Sequence, residues 1–154
     1  MISLAGALVL VVALASVWAM VGVIWTVQLV HYPIFDAIDR GVDDDRWRQF
    51  GDRHRRSISW VVGPFMLAEG LTGLWMLVDP PGDISRLLPV VSVTLMAVAY
   101  GTTAFVSVPL HEQLATRYDD GAHRRLVTTN WIRTAAWSAR GLVVGAIAVS
   151  AITR

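Results

Sequence analysis

Glu69 is the residue that its surroundings explain least. It is the only charged side chain between residues 57 and 78, and at ~1.5 Å per helical residue it would lie ~18 Å into an apolar helix, near the middle of a bilayer. A carboxylate at that depth is costly unless it is paired, protonated or wetted, so by default it marks a functional site. Two roles are open to it. It can give and take a proton as a catalytic acid or base, or it can form an ion pair with Arg140, one of two charges in residues 126 to 153.

Three histidines form the second group. His31, His54 and His111, the last with Glu112 beside it, supply the imidazole and carboxylate ligands that suit iron, zinc or copper, so the cofactors this set could hold are a transition metal or a haem. No two of them stand three or four residues apart, the spacing of a ligand pair on one helix, and the other reading makes them hydrogen-bonding residues at the ends of spans. His123, next to Arg124 and Arg125, reads as a solvated loop residue. Asn130 and Arg133, one turn apart, could orient an anionic or carbonyl group of a substrate, or anchor a helix to lipid phosphates. Gln28, Trp25, Tyr100 and Arg140 are the remaining candidates for cofactor contact. Gln28 is an amide deep in an apolar run and needs a partner there.

These residues have to be positioned by four apolar runs. Residues 1 to 30 and 87 to 110 carry no charge, residues 57 to 78 carry only Glu69, and residues 126 to 153 carry only Arg133 and Arg140. Each run matches or exceeds the ~20 residues that cross ~30 Å of hydrocarbon as helix. The fold expected is an all-α bundle of four transmembrane helices, one integral membrane domain over residues 1–154, with spans at about 2–30, 57–78, 87–110 and 130–152. The first run lacks a positive leading segment and is about twice the length of a signal's apolar core, so it reads as a span. Trp18, Val21, Trp25 and Gln28 share one stripe of it; Tyr100, Thr103, Ser107 and His111 share one face of the third span, and Asn130, Arg133, Trp137 and Arg140 one face of the fourth.

Between the runs, residues 33 to 56 form a polar connection of six acids and six arginines. Asp43 to Phe50 reads as a capped, short surface helix. Pro64 should bend the second span, Asp79-Pro80-Pro81-Gly82-Asp83 reads as a turn, and Pro109 should end the third span before a connection of roughly fifteen residues. Pro33 closes the first run in the same way, directly after His31-Tyr32.

Two hairpins are suggested. Each has a histidine next to proline, at His31-Tyr32-Pro33 and Pro109-Leu110-His111, followed by His-Arg-Arg, at His54 to Arg56 and His123 to Arg125. Matched in this way, the first hairpin carries an eleven-residue insertion, and the halves are related by an axis along the membrane normal.

All 13 basic residues are arginine, against 12 acids, and there is no cysteine. Disulfides and thiolate sites are excluded, and no block of like charge points to nucleic acid. The absence of a glycine-rich phosphate loop, of Gly-x-Ser-x-Gly and of His-Glu-x-x-His argues against nucleotide-driven transport and serine hydrolysis.

Pro109-Leu110-His111-Glu112-Gln113-Leu114, followed by Asn130-Trp131-Ile132-Arg133-Thr134, resembles the small four-span anthrone-oxygenase-like membrane family, which shows Pro-Leu-Asn-x-x-Leu after its third span and a Trp/Asn/Arg cluster opening its fourth. The match covers mainly the last third of the chain, and His111 stands where that family has asparagine. The resemblance implies oxidation of a hydrophobic, aromatic substrate at the membrane.

The function expected is that of a membrane oxidoreductase acting on a hydrophobic small molecule. His31, His54, His111 and Glu112 would hold the metal or cofactor, Glu69 would move a proton at the pocket floor, and Asn130 and Arg133 would orient the substrate. Trp18, Trp25, Trp60 and Trp137 would line an apolar cavity entered from lipid. The alternatives are a proton or small-solute relay through Gln28, Glu69, Tyr100 and Arg140, or a non-catalytic membrane subunit. The partners expected are the bilayer, the small molecule and, in a homo-oligomer, further copies of the chain.

Ten arginines (40, 46, 48, 53, 55, 56, 117, 124, 125 and 133) fall in or beside the first and third connections, against Arg86 and Arg154 on the other side. The bias puts those connections in the cytoplasm and both termini outside. A C-terminal alkaline phosphatase fusion should be active and a C-terminal fluorescent-protein fusion dark; the reverse pattern refutes this topology.

Overall fold

Ser3 opens the first helix by accepting the Gly6 N–H on its hydroxyl at 3.1 Å, and from there the described chain is helix wherever it is regular. The computed structural model describes residues 2–39, 43–82 and 84–153, so Arg40, Asp83 and Arg154 lie outside the described residues. The elements are α1 (Leu4–Thr26), a π turn (Val27–His31), α2 (Tyr32–Asp39), α3 (Asp44–Val78), α4 (Leu87–Thr102), a second π turn (Thr103–Ser107), α5 (Val108–Thr116) and α6 (Asp120–Ile152). No strand occurs among the described residues.

The expected stops at Pro33 and Pro109 do not occur. Proline lacks an N–H, and its ring collides with the carbonyl four residues back in a regular α-helix. Here each proline directly follows a widened turn: the Tyr32 N–H reaches back five residues to the Val27 carbonyl, and the Val108 N–H does the same to Thr103. The π turn makes room for the ring and the helix continues. α3 likewise runs unbroken through Pro64 from Asp44 to Val78, so Asp43 caps a full-length helix, not a short surface one. After α5 only residues 117–119 are non-helical, where a connection of roughly fifteen was expected.

The reason lies in apolar residues scattered through those polar stretches. Tyr32, Leu110, Leu114, Ala122 and Leu126 form a second core beyond the main one, and the Trp47 indole N–H donates to the Leu114 carbonyl at 2.6 Å. Burial of this set keeps the helix ends ordered past the apolar runs.

The halves repeat without an insertion, in a register that the histidines conceal. The π turns begin at 27 and 103, the prolines stand at 33 and 109, and the capping aspartates at 43 and 119, each pair 76 positions apart. Asp43 accepts the Arg46 N–H at 2.9 Å and Asp119 the Ala122 N–H at 2.6 Å. Ser16-Val17-x-x-Met20 and Ser92-Val93-x-x-Met96 keep the same offset. In this register His54 matches Asn130 and His31 matches Ser107, so the pairing of His31 with His111 and the eleven-residue insertion are both set aside.

α1 packs closely on α3 and on α6, and α4 on α6, while α3 and α4 touch over less of their length. The main core takes Leu10, Val17, Met20 and Ile24 from α1, Met76 from α3, Ala99 from α4, and Trp137, Val144 and Ile147 from α6. The outside is as apolar as the inside: Phe105 is 84% exposed, Val78 81% and Trp60 79%. Four helices are long and apolar enough to cross a membrane, and lipid is the solvent that such a surface suits. Gly82, with φ +71°, turns the chain between α3 and α4.

Both caps sit at matching points of the repeat, so Asp119→Ala should lower stability by about 1 kcal/mol and Asp119→Asn by less. Thermal unfolding in detergent measures this, and equal stability of Asp119→Ala and wild type would contradict it.

Candidate functional site

The π turns bring polar residues from both halves to one end of the bundle. His31 Nε2 and His54 Nδ1 share a hydrogen bond at 3.1 Å, with their rings stacked at 4.3 Å. His111 lies 5.6 Å from His54 between ring centroids, and its Nε2 is 3.4 Å from the Tyr32 hydroxyl. Phe35 is buried among these rings, edge-on to His31, His54 and His111. His123 is not a solvated loop residue: it is 8% exposed, packs on Phe35, and its Nε2 is bonded to the Tyr32 carbonyl at 3.1 Å, with the Tyr118 hydroxyl 3.2 Å from Nδ1. That bond crosses from α6 to the residue just after the first π turn.

Arg133 reaches this cluster from α6. Its Nη1 donates to the Ser107 hydroxyl at 3.0 Å, its guanidinium lies beside the Tyr32 hydroxyl, and its Cζ stands 5.4 Å over the Trp137 ring. Its buried Nε has no partner. Asn130 turns instead toward the first π turn, donating to Gln28 Oε1 at 2.7 Å, while the Gln28 amide N–H donates to the Val127 carbonyl at 3.4 Å. The deep amide thus finds its partner in α6, and Asn130 serves helix packing while Arg133 faces the imidazoles.

Glu69 belongs to a different, sealed cluster. Glu69 and Arg140 are both fully buried, with Oε1 and Nη1 2.6 Å apart but out of hydrogen-bond alignment, so charge holds the contact. Arg140 Nη2 donates to the Glu69 carbonyl at 3.3 Å, the Trp137 indole N–H to Oε2 at 3.0 Å, and the Tyr100 hydroxyl to Oε2 at 3.5 Å and to the Met66 carbonyl. Gly73 leaves the space that the guanidinium needs, since a Cβ there would come within 3.3 Å of Nη2. Three helices are joined here by one carboxylate.

Two spaces adjoin the imidazoles. A partly enclosed cavity of about 130 Å³ is lined by Tyr32, His54, Ser59, Thr103, Ser107, His111 and Arg133 on its polar side and by Met20, Ile24 and Val62, among others, on its apolar side. No carboxylate lines it, and Glu69 is therefore not its floor. On the outer surface a groove of about 500 Å³ runs between α1 and α3, with Trp18, Gly22, Val23 and Val61 along it and His31 and His54 at one end. Cavity and groove share Val23, Val27, His54 and Ile58.

The four tryptophans expected around one cavity are dispersed. Trp18 lines the groove, Trp60 faces outward, Trp25 bonds Ser138 at 3.1 Å and meets Trp131 edge-on, and Trp137 is buried against Glu69. Glu112 is exposed, away from the cavity lining. Among the described residues no group of three or more His, Asp or Glu side chains is placed to hold a metal ion, and His31 and His54 spend their facing nitrogens on each other. The partly enclosed cavity is far below the ~300 Å³ of a drug-sized pocket, so it does not accommodate a porphyrin. Tyr32 and Ser107 complete the site; Ser107 shares its helix face with His111, and Tyr32 stands directly before Pro33. Compared with known proteins, the chain matches no family model, no curated protein and no solved structure.

A buried pair is more sensitive to losing one partner than to losing both. Arg140→Leu should cost about 3–5 kcal/mol by stranding Glu69, and the double variant Glu69→Leu/Arg140→Leu should be more stable than Arg140→Leu alone. Thermal unfolding of wild type, Glu69→Leu, Arg140→Leu and the double variant decides, and additive losses would contradict the pairing.

Proposed function

We propose that the protein is a membrane-embedded oxidoreductase-like enzyme that takes a lipid-soluble small molecule, by an oxygen-bearing ring, into the cavity among Tyr32, His54, His111 and Arg133. The observation that carries this reading is the cavity's lining: an arginine, a phenol, two serines, a threonine and two imidazoles, with no carboxylate. Such a set favours an acceptor oxygen, either a carbonyl or a phenolate. At about 130 Å³ the space is on the scale of the ~150 Å³ cavity that holds one benzene ring.

The roles follow from position. Arg133 and Tyr32 bind and orient the oxygen. A hydroquinone bound there would lose two electrons and two protons on becoming a quinone; His111 or His54 accepts a proton, His31, bonded to His54, passes it toward the end of the bundle, and both electrons go to a second, lipid-soluble quinone that takes up two protons. Gln28 and Asn130 fix the first π turn against α6 and so hold the cavity's width. With the topology inferred from arginine bias, the imidazoles lie near the cytoplasmic end. A solute relay through Glu69 is supported less well, because that carboxylate is fully buried in an ion pair and lines neither space.

Protein purified with its native lipids should carry a phenol or quinone detectable by mass spectrometry of the extract, and Arg133→Leu and His111→Leu should lose it while remaining folded. Recovery of phospholipid alone, in equal amounts from wild type and variants, would overturn the reading.

A further inference from the structure

We propose that the groove between α1 and α3 is the binding site for the alkyl or isoprenoid tail of that same molecule, and that Gly22 sets the tail it accepts. The proposal rests on the reading of the cavity as the head site and adds the ligand's class: a ring with one apolar chain, drawn from the bilayer.

The groove leads to the head site. His31 and His54 close one end of it, and four residues are shared with the partly enclosed cavity. From His31 back to Trp18 is thirteen residues of helix, ~20 Å at ~1.5 Å per residue, long enough for an extended chain. Apart from the two imidazoles and the Ser57 hydroxyl its walls are apolar, since the Thr26 hydroxyl donates to the Gly22 carbonyl at 2.9 Å and is spent on its own helix. Trp18 closes the far end, its ring held 3.5 Å from where a Cβ on Gly141 would stand.

Gly22 is the notch. A Cβ built there would meet nothing within 4 Å, as is also true of Gly63, Gly70, Gly101 and Gly145, but of these five Gly22 alone lines the groove. The space it leaves is part of the groove. The matching position of the second repeat is Val98, so the notch belongs to one half only, the half that carries His31 and His54. A phospholipid could lay a chain in the groove but its headgroup and glycerol exceed a cavity of about 130 Å³, whereas a single-ring, single-tailed molecule meets both spaces at once.

The probes are phenol itself and phenols bearing a short, a medium or a long alkyl chain ended by bromine, titrated against protein in detergent and corrected for partition into the micelle. Affinity should rise roughly tenfold per two methylenes until the groove is full, and the longest chain should quench fluorescence that Trp18→Phe removes. Gly22→Leu, and Val61→Trp from the opposite wall, should abolish the gain from the tail while phenol binds within about twofold of wild type. A tail gain unchanged in both variants, with phenol binding still lost in Arg133→Leu, overturns the groove alone. Phenol binding indifferent to Arg133→Leu overturns the head site, and failure of every probe to bind overturns both.

Discussion

A proline inside a continuous helix is the constraint on which the rest of this structure depends. The bilayer core offers no water to a stranded carbonyl, so a proline in a spanning helix must be absorbed by the backbone. Pro33 and Pro109 are absorbed in the same way, by a π turn immediately before each. An extra residue in a turn shifts every later side chain around the helix axis relative to the α-helical phase. His31 and Ser107 close the two π turns and Tyr32 and His111 follow them, and the same turns let both helices continue past their prolines.

The second determinant is the ion pair of Glu69 and Arg140. It lies in the main bundle and joins α3 to α6, with Tyr100 of α4 and Trp137 of α6 completing the carboxylate's partners. Arg133 stacks over the same Trp137, so the indole stands between the sealed pair and the imidazole cluster. The charged centre thus stands one indole away from the arginine that lines the small polar cavity.

Four helical runs, the capping role of Asp43, the shared face of Asn130, Trp137 and Arg140 and the presence of a charged pair at mid-span were all legible in the residue pattern, because each follows from local composition and periodicity. The continuity of the helices through Pro33 and Pro109 was not. Proline's usual effect is to stop or kink a helix, and a π turn has no residue signature of its own. The repeat is masked for a related cause: the histidines occupy non-equivalent places in the two halves, while Ser16-Val17-x-x-Met20 and Ser92-Val93-x-x-Met96 carry the register in ordinary side chains. His123 looked solvated beside two arginines, and only the carbonyl of Tyr32, brought near by the fold, explains its burial.

The central claim is that the cavity among Tyr32, His54, His111 and Arg133 holds the oxygen-bearing ring of a lipid-soluble molecule. An experimental structure of the protein in nanodiscs made from its native membrane tests this most directly. The account predicts ring-shaped density with an oxygen about 2.7–3.2 Å from Arg133 or His111, continuous with a tail running past Gly22. A cavity closed by direct packing of Tyr32 on Arg133, or filled by water alone, would contradict it.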